Sequence, residues 1–550
     1  MASPEPLYLG LDLSTQQLKA VLVTKAGVVV HEAAVAFDAD LPQHKTVGGA
    51  HRGPNGRVTA PVALWVEALD LVMSKLKASD APFGRIAAVS GSGQQHGSVW
   101  WSHQGETLLA QLDPGRSLAE QLVPHAFSRP DAPIWMDSST TGACSILTES
   151  FGSAQALADL TGSRAYERFT GPQILKVYTE EPESYEATAH ISLVSSFAAS
   201  LFLGAFAPIE VGDASGMNLM DITTYKWDTK LLEACGGPAL RQKLGDEPVL
   251  GGVDLGKVTK WWVDRWGFSP DCVVAPWTGD NPASVIAVST PGDAILSLGT
   301  STTFLLSTPP ADKPPLRTTI SHLLAHPLER RARIVMLCYK NGALAREKVR
   351  GTRAWADFDA DVDKSEPGNG GVFGFYFPEV EIIPPLVQGE FFFRVKDDGA
   401  VEEVTRDSLD EHVHARAILE SQLLSIKARL LDILPTHDSA GDEHHAHAHR
   451  DLDNPLRRLV LVGGSSVNTT VQQLAADVFG MDVYIAETKE GAAVGGAVLA
   501  MHAAGVRNVE VGGLKLVKQA RSEVTDVYAN IVDSYRVSEE RVVQKFADKV

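Results

Sequence analysis

The sequence predicts an α/β protein built from more than one domain. Three observations predict it. The chain has 550 residues, too many for one core, and length alone suggests about three or four domains. Short apolar runs repeatedly end in Gly, Ser, Thr or Asp clusters, as strands do where they leave a sheet. Finally, Leu11-Asp12-Leu13-Ser14-Thr15 is echoed by Leu298-Gly299-Thr300-Ser301-Thr302, a weak internal repeat one domain length apart.

Composition excludes some functions. Hydrophobic residues at 44% and charged residues at 21% are ordinary values for a soluble globular protein. A formal charge of -19 argues against nucleic acid or an anionic membrane as partner. It does not exclude an anionic nucleotide, because local N–H groups and cations can hold phosphate. Cys144, Cys235, Cys272 and Cys338 form no CxxC pair and read as reduced thiols of a cytoplasmic protein. The N-terminus has neither a basic region nor an apolar core, so no signal peptide is expected. Ile191 to Ile209 has no charged residue and is long enough to span a bilayer, but it carries four serines and Pro208. A central buried helix is the expectation.

In chain order, Leu7, Leu9, Leu11 and Leu13 alternate with Tyr8, Gly10 and Asp12, which predicts a strand carrying Asp12 on its non-leucine face. Ser14 to Gln17 is a polar turn. Leu18 to Val23 and Val28 to Phe37 are further strands, joined at Lys25-Ala26-Gly27. Such a hairpin can cradle phosphate, although a simple hairpin would look the same. Trp65, Leu69, Val72, Met73 and Leu76 have helical spacing, so Pro61 to Lys77 is an amphipathic helix. Ile86 to Val89 is a short strand entering Ser90 to Gly97, where Gln94, Gln95 and His96 present donors and acceptors suited to hydroxyls. Ala132 to Thr140 is a strand ending in a polar cluster. Arg164 and Arg168 lie among aromatics and either contact a polar ligand or pair with Glu167.

Val273 to Pro276 reads as a buried strand, and Gly279-Asp280-Asn281-Pro282 as the opening of a helix from Ala283 to Val288. Asp280 is therefore expected on a loop at a strand end beside a helix N-terminus, where α/β proteins place chemistry. A turn or capping Asp is the plain alternative. Asp293 to Leu298 and Ile334 to Leu337 are strand candidates, and Leu419, Leu423, Ile426 and Leu430 mark a helix. The His-rich stretch 438–453 reads as a solvated insertion rather than a metal site. Leu459 to Val462 is a strand entering Gly463-Gly464, and a helix starts near Asn468, an arrangement suited to nucleotide contact. Ala492 to Ala504 is a small-residue helix, and Ser538 to Val550 is helical in composition.

Together these motifs resemble the FGGY family of carbohydrate kinases. The matching stretches are Gly10 to Lys19, Gln94 to Val99, Trp135 to Thr141, Thr161 to Gly171, Ile191 to Gly204, Thr278 to Ser284, Ser297 to Ser301 and Gly463-Gly464. The resemblance implies two ribonuclease-H-like domains, of the actin and sugar-kinase type, flanking a catalytic cleft. Residues 1–290 would form the sugar-binding domain, 291–510 the ATP-binding domain and 511–550 a helical tail. It implies ATP-dependent phosphorylation of D-xylulose to D-xylulose 5-phosphate in pentose catabolism, with Asp280 as general base.

The sugar contacts implied are His96, Arg168, Asp280 and Asn281. The nucleotide contacts implied are Trp355, Gly463, Gly464 and Asn468, with the Ser14-Thr15 and Gly299-Thr300 turns facing the phosphates. Asp12 would hold Mg²⁺ directly or through water. A monomer or weak homodimer is expected, with no nucleic-acid or membrane partner. Thr302 stands where relatives would show Asp, and 311–333 and 434–455 look divergent. Three readings compete: a sister kinase acting on ribulose, glycerol or gluconate; a sugar-independent actin-like ATPase or binding module; and a catalytically weak regulatory relative.

Overall fold

The computed structural model describes residues 5–311, 314–396, 398–434, 456–488, 490–507, 509 and 513–547. The His-rich stretch 438–453 lies outside the described residues. The chain divides into two compact units: Met1–Val288 with Leu323–Arg331 and Thr488–Gly512, and Ser289–His322 with Ala332–Glu487 and Gly513–Val550.

The first unit is built on strands β1 (Leu7–Leu13), β2 (Gln17–Thr24), β3 (Val29–Ala36), β4 (Ile86–Gly93), β5 (Gly256–Lys257), β6 (Val273–Val274) and β7 (Thr278–Gly279). Their order is β5-β6-β4-β1-β2-β3, with β7 also on β4. β1, β2 and β3 form an antiparallel meander, whereas β4 is parallel to β1, β6 and β7. β4 runs through Gly93, four residues beyond the expected end at Val89. Ser90 and Ser92 are tolerated in a buried strand because their hydroxyls find partners, the Pro276 carbonyl and Asp12.

One face of this sheet carries the helix Val194–Leu203, in which every residue but Leu203 is buried. Phe202 stacks on Trp262 at 4.0 Å, and Trp65, Trp101 and Trp277 extend the same core. The charge-free stretch is thus a strand followed by a ten-residue buried helix. No described helix is long and apolar enough to cross a membrane.

The other face is covered by the helix Gly491–Ala503. Its small residues allow backbone-to-backbone approach. A Cβ on Gly10 would overlap the Ala493 carbonyl, and one on Gly496 would lie 2.5 Å from the Gly91 Cα. This packing explains a departure from the expected boundaries: 488–512 groups with the first unit and not with 291–510.

The second unit repeats the plan with β8 (Asp293–Leu298), β9 (Thr302–Ser307), β10 (Arg333–Tyr339), β11 (Arg458–Val462), β12 (Asp482–Ala486) and β13 (Leu514–Lys518), in the order β10-β9-β8-β11-β12-β13. β8, β9 and β10 are antiparallel, β11 is parallel to β8, β12 is parallel to β11, and β13 is antiparallel to β12. Read outward from β1 and from β8, the two sheets have the same sequence of directions.

The tail is part of this unit. The helix Ser522–Gln544 buries Tyr528, Val532, Tyr535 and Val542. Tyr528 Oη donates to Glu420 Oε1 at 2.7 Å, and Arg429 pairs with Glu539 at 2.5 Å.

Candidate active site

Parallel pairing gathers three strand ends. Leu13, Gly93 and Gly279 are in register, so the segments that follow, the turns Ser14–Gln16 and Gln94–Gly97 and the helix start Asp280–Asn281, leave the sheet together. This is the carboxyl end of a parallel sheet segment, the usual place for ligands in open α/β sheets.

Asp12 sits one residue before the end of β1, buried at 8% exposure. Ser14 Oγ donates to its Oδ2 at 2.5 Å, and Ser92 Oγ to its Oδ1 at 2.9 Å. Burial raises its pKa, against the lowering by these hydroxyls and by Lys19, which pairs with Glu490. Among the described residues, no group of three or more His, Cys, Asp or Glu is placed to hold a metal by itself. One firmly held carboxylate nevertheless fits Mg²⁺, which commonly takes one or two carboxylates and fills its shell with phosphate oxygens and water. Thr15 Oγ1 accepts from Trp135 Nε1 at 2.8 Å, which pins the same turn.

Asp280 follows β7 directly and begins the helix Asp280–Val288. The helix thus starts three residues before the expected Ala283. Pro282 is accommodated because N–H groups of a first helical turn have no intrahelical partner to lose. Asp280 Oδ1 accepts from Asn281 N at 2.9 Å and from Asn281 Nδ2 at 3.2 Å. Asn281 Nδ2 also donates to Gln95 Oε1 at 2.8 Å. Burial first, and the negative charge of Asp12 second, push the Asp280 pKa up to about 7. A carboxylate tuned there can take a proton from a hydroxyl near neutrality.

His96 adopts φ +71°, unusual for a residue with a side chain, and stacks on Phe169 at 4.5 Å. Its Nδ1 lies 3.0 Å from the Gly216 carbonyl. Burial and the charge of Arg168 push its pKa down to about 3, so the ring is neutral. The proton sits on Nδ1, donated to Gly216, and Nε2 is left as an acceptor. Arg168 lies over the Tyr166 ring at 5.5 Å and makes no ion pair with Glu167 among the described residues. Asp12, His96, Arg168, Asp280 and Asn281 therefore all belong to the first unit, together with Ser14 and Thr15.

Sequence reasoning missed two buried acids beside this group. Glu210 accepts from Thr278 Oγ1 at 2.5 Å and from Asp213 N at 3.1 Å, and burial pushes its pKa up to about 7. Asp213 accepts from Ser195 Oγ at 2.5 Å, and burial with the charges of Glu210 and Asp280 raises its pKa well above the carboxylate range. The available signal was two acids three apart in an otherwise apolar run, Ile209 to Ala214.

The second unit contains a pocket of about 570 Å³ lined by Gly299, Thr300, Arg346, Trp355, Gly464 and Asn468, among others. Trp355, 40% exposed, opens the helix Trp355–Val362 and offers a flat face. Asn468 caps the helix Thr469–Phe479, accepting from Val471 N at 2.9 Å, while its Nδ2 donates to Asp359. Gly463 is not among the lining residues. It has φ +88°, and a Cβ there would lie 3.0 Å from the Leu298 backbone, so it serves the close approach of β8 and β11.

Arg346 was not anticipated as a site residue. It is 2% exposed, donates to Gln422 Oε1 at 2.7 Å and to Ser465 Oγ at 3.3 Å, and has no ion-pair partner among the described residues. A buried cation without a counter-ion in a pocket of this size suits an anionic ligand.

The profile for the N-terminal domain of the FGGY family of carbohydrate kinases matches residues 130–287, and that for the C-terminal domain matches 294–504. The chain is 40% identical over 552 residues to a Rattus norvegicus protein named xylulose kinase, covering 98% of this chain and 97% of that one. It is 42% identical over 501 residues to a probable D-xylulose kinase A of Aspergillus flavus, covering 86% and 84%. The crystal structure of a xylulose kinase from Bifidobacterium adolescentis superposes with a TM-score of 0.72 at 20% identity, covering 96% of this chain and 99% of that one. This last likeness shows the fold, two ribonuclease-H-like domains of the actin and sugar-kinase type.

Proposed function

The chain belongs to the FGGY family of carbohydrate kinases, and from that premise we propose that it transfers the γ-phosphoryl group of ATP to the terminal hydroxyl of D-xylulose, giving D-xylulose 5-phosphate and ADP. The observation that carries the substrate is the end-to-end similarity to a chain named xylulose kinase. The site chemistry supports the reaction. Phosphoryl transfer needs positioning, charge neutralisation and a proton acceptor more than covalent catalysis.

Asp280 accepts the proton of the attacking hydroxyl, and the two bonds it accepts from Asn281, both on Oδ1, orient the carboxylate for it. His96 Nε2 accepts from a second hydroxyl, while Arg168 and Asn281 contact further sugar oxygens. In the second unit, Trp355 takes the base of ATP, and Gly299, Thr300, Gly464 and Asn468 line its path. Ser14 and Thr15 face phosphate. Asp12 would hold Mg²⁺, directly or through water, and the ion would neutralise charge on the phosphates. Gly463 supports this site from behind. Four free cysteines agree with a reducing, cytoplasmic setting.

The test is ADP release with Mg·ATP, first without sugar and then with D-xylulose, L-xylulose, D-ribulose, glycerol or gluconate. Stimulation by D-xylulose well above every other compound is expected. Stimulation by a different polyol keeps the mechanism and moves the substrate. ADP release indifferent to all of them refutes the kinase reading in favour of a sugar-independent ATPase.

A further inference from the structure

The segment Gln94-Gln95 offers two adjacent amides, and the fold treats them differently. Gln95, 4% exposed, is tied into the protein at one end: its Oε1 accepts from Asn281 Nδ2 at 2.8 Å and a Cβ on Gly279 would run into its side chain, while its Nε2 has no hydrogen-bond partner among the described residues. Gln94 is more deeply buried, at 1% exposure, yet neither its Nε2 nor its Oε1 has a hydrogen-bond partner among the described residues. A fully buried amide with both ends unpartnered is rare, because leaving either end desolvated and unbonded is unfavourable.

The backbone shows where this amide is directed. Gln94 N donates to the Leu13 carbonyl at 2.9 Å, so the ladder between β1 and β4 continues through it. A Cβ on Gly93 would lie 2.6 Å from Ser195 N, so that residue faces the helix Val194–Leu203. Strand alternation then turns Gln94 to the opposite side, the side of Ser92 and of Asp12, which Ser92 holds. Gly93 is paired with Gly279 on β7, so Gln94 and Asp280 are the next residues of their segments beyond that pair. Gln94 therefore follows β4 next to the end of β1 and to the point where Asp280 follows β7.

Chemistry narrows the ligand. A phosphoryl oxygen can only accept, and would leave Oε1 orphaned. A sugar hydroxyl can accept from Nε2, and its neighbour can donate to Oε1. A vicinal diol satisfies both ends. We propose that Gln94 is a sugar-contacting residue, its amide bridging adjacent hydroxyls of the polyol beside the hydroxyl that Asp280 deprotonates. This rests on the sugar-kinase reading above. It divides the pair into a scaffold amide, Gln95, and a substrate amide, Gln94.

The test compares the parent with Gln94→Met, which keeps length and removes both polar atoms, and with Gln94→Glu, which keeps shape and acceptor but loses the donor. D-xylulose affinity is measured calorimetrically without nucleotide, the KM for ATP by steady-state kinetics, and the melting temperature without ligand. The dissociation constant for D-xylulose should rise about tenfold or more in Gln94→Met and by a smaller factor in Gln94→Glu. The ATP KM should stay within about twofold. The ligand-free Gln94→Met protein should melt no lower than the parent, since orphaned polar atoms have been replaced by apolar ones. A structural glutamine would give the opposite pattern, a lower melting temperature with unchanged sugar affinity, and that result overturns the proposal. If Gln94→Met does not fold, unchanged sugar affinity in Gln94→Glu overturns it. A parent that neither binds nor phosphorylates any polyol refutes the kinase reading and the proposal with it. Polyol phosphorylation with the same sugar KM in parent and variant refutes the proposal alone.

Discussion

Asp280→Asn keeps the shape of the side chain and removes its charge, so it separates the catalytic role of the carboxylate from its place in the fold. Burial and Asp12 push the pKa of Asp280 up to about 7. With that value the ionised fraction is about 9% at pH 6 and about 91% at pH 8. The kcat/KM for the sugar, at saturating ATP, should therefore rise about tenfold across that interval. Asp280→Asn should lower kcat by roughly a hundredfold to ten-thousandfold, the usual range for loss of a positioned base, and should flatten the profile.

Stability should move the other way. The folded pKa lies above the unfolded one, so the folded protein binds the proton more tightly. The associated stability is present below about pH 4 and is lost as the pH rises through about 7. The shift from 3.8 to about 7 corresponds to about 4 kcal/mol as an upper bound, reduced by whatever water reaches the carboxylate. Asp280→Asn carries no charge at any pH, so its stability relative to the parent should grow between pH 5 and pH 8. The assay is urea unfolding of both proteins at the two pH values, alongside ADP release with D-xylulose. A flat kcat/KM between pH 6 and 8 together with mutant activity within a few-fold of the parent would refute the base. A mutant less stable than the parent at pH 8 would refute the electrostatic account.

Three further outcomes follow from particular contacts. In Gly216→Ala the new Cβ would lie 2.6 Å from His96 Nδ1, so the ring must turn away from the Gly216 carbonyl. The sugar KM should rise about tenfold with the ATP KM unchanged, and steady-state kinetics checks both. Arg346→Leu removes the buried cation of the second unit's pocket and should raise the ATP KM about tenfold or more while leaving the sugar KM within a few-fold. Glu539→Ala leaves Arg429 buried without its partner and should destabilise the second unit by about 3–5 kcal/mol, read from urea unfolding, with little change in kcat at 25 °C.

The local pieces were legible in the sequence because local rules make them. Leucines alternating through residues 7–13 mark a strand. The Ser/Thr turns after Leu13 and Leu298 mark hairpins, and their repetition points to two sheets of one plan. Asn468 before an apolar helical run marks a cap. Asp280 and His96 were identifiable as polar residues on loops at strand ends, and the family resemblance supplied their expected roles.

What the sequence could not disclose depends on contacts between distant segments. The small residues of Gly491–Ala503 announce close packing but not its target, which is β1, some 480 residues earlier, at Gly10. Asp280 is an ordinary carboxylate until burial and Asp12 raise its pKa. Glu210 and Asp213 lie in a run with no motif and become unusual only when Thr278 and Ser195 close over them. Gln94 and Gln95 are identical letters; their difference arises because Asn281, 186 positions away from Gln95, takes one amide and no described residue takes the other. Residue type and spacing determine which hydrogen-bonding groups and charges the chain possesses. Tertiary packing decides which of them are desolvated and which remain unpaired, and those two conditions set both pKa and the capacity to bind a ligand.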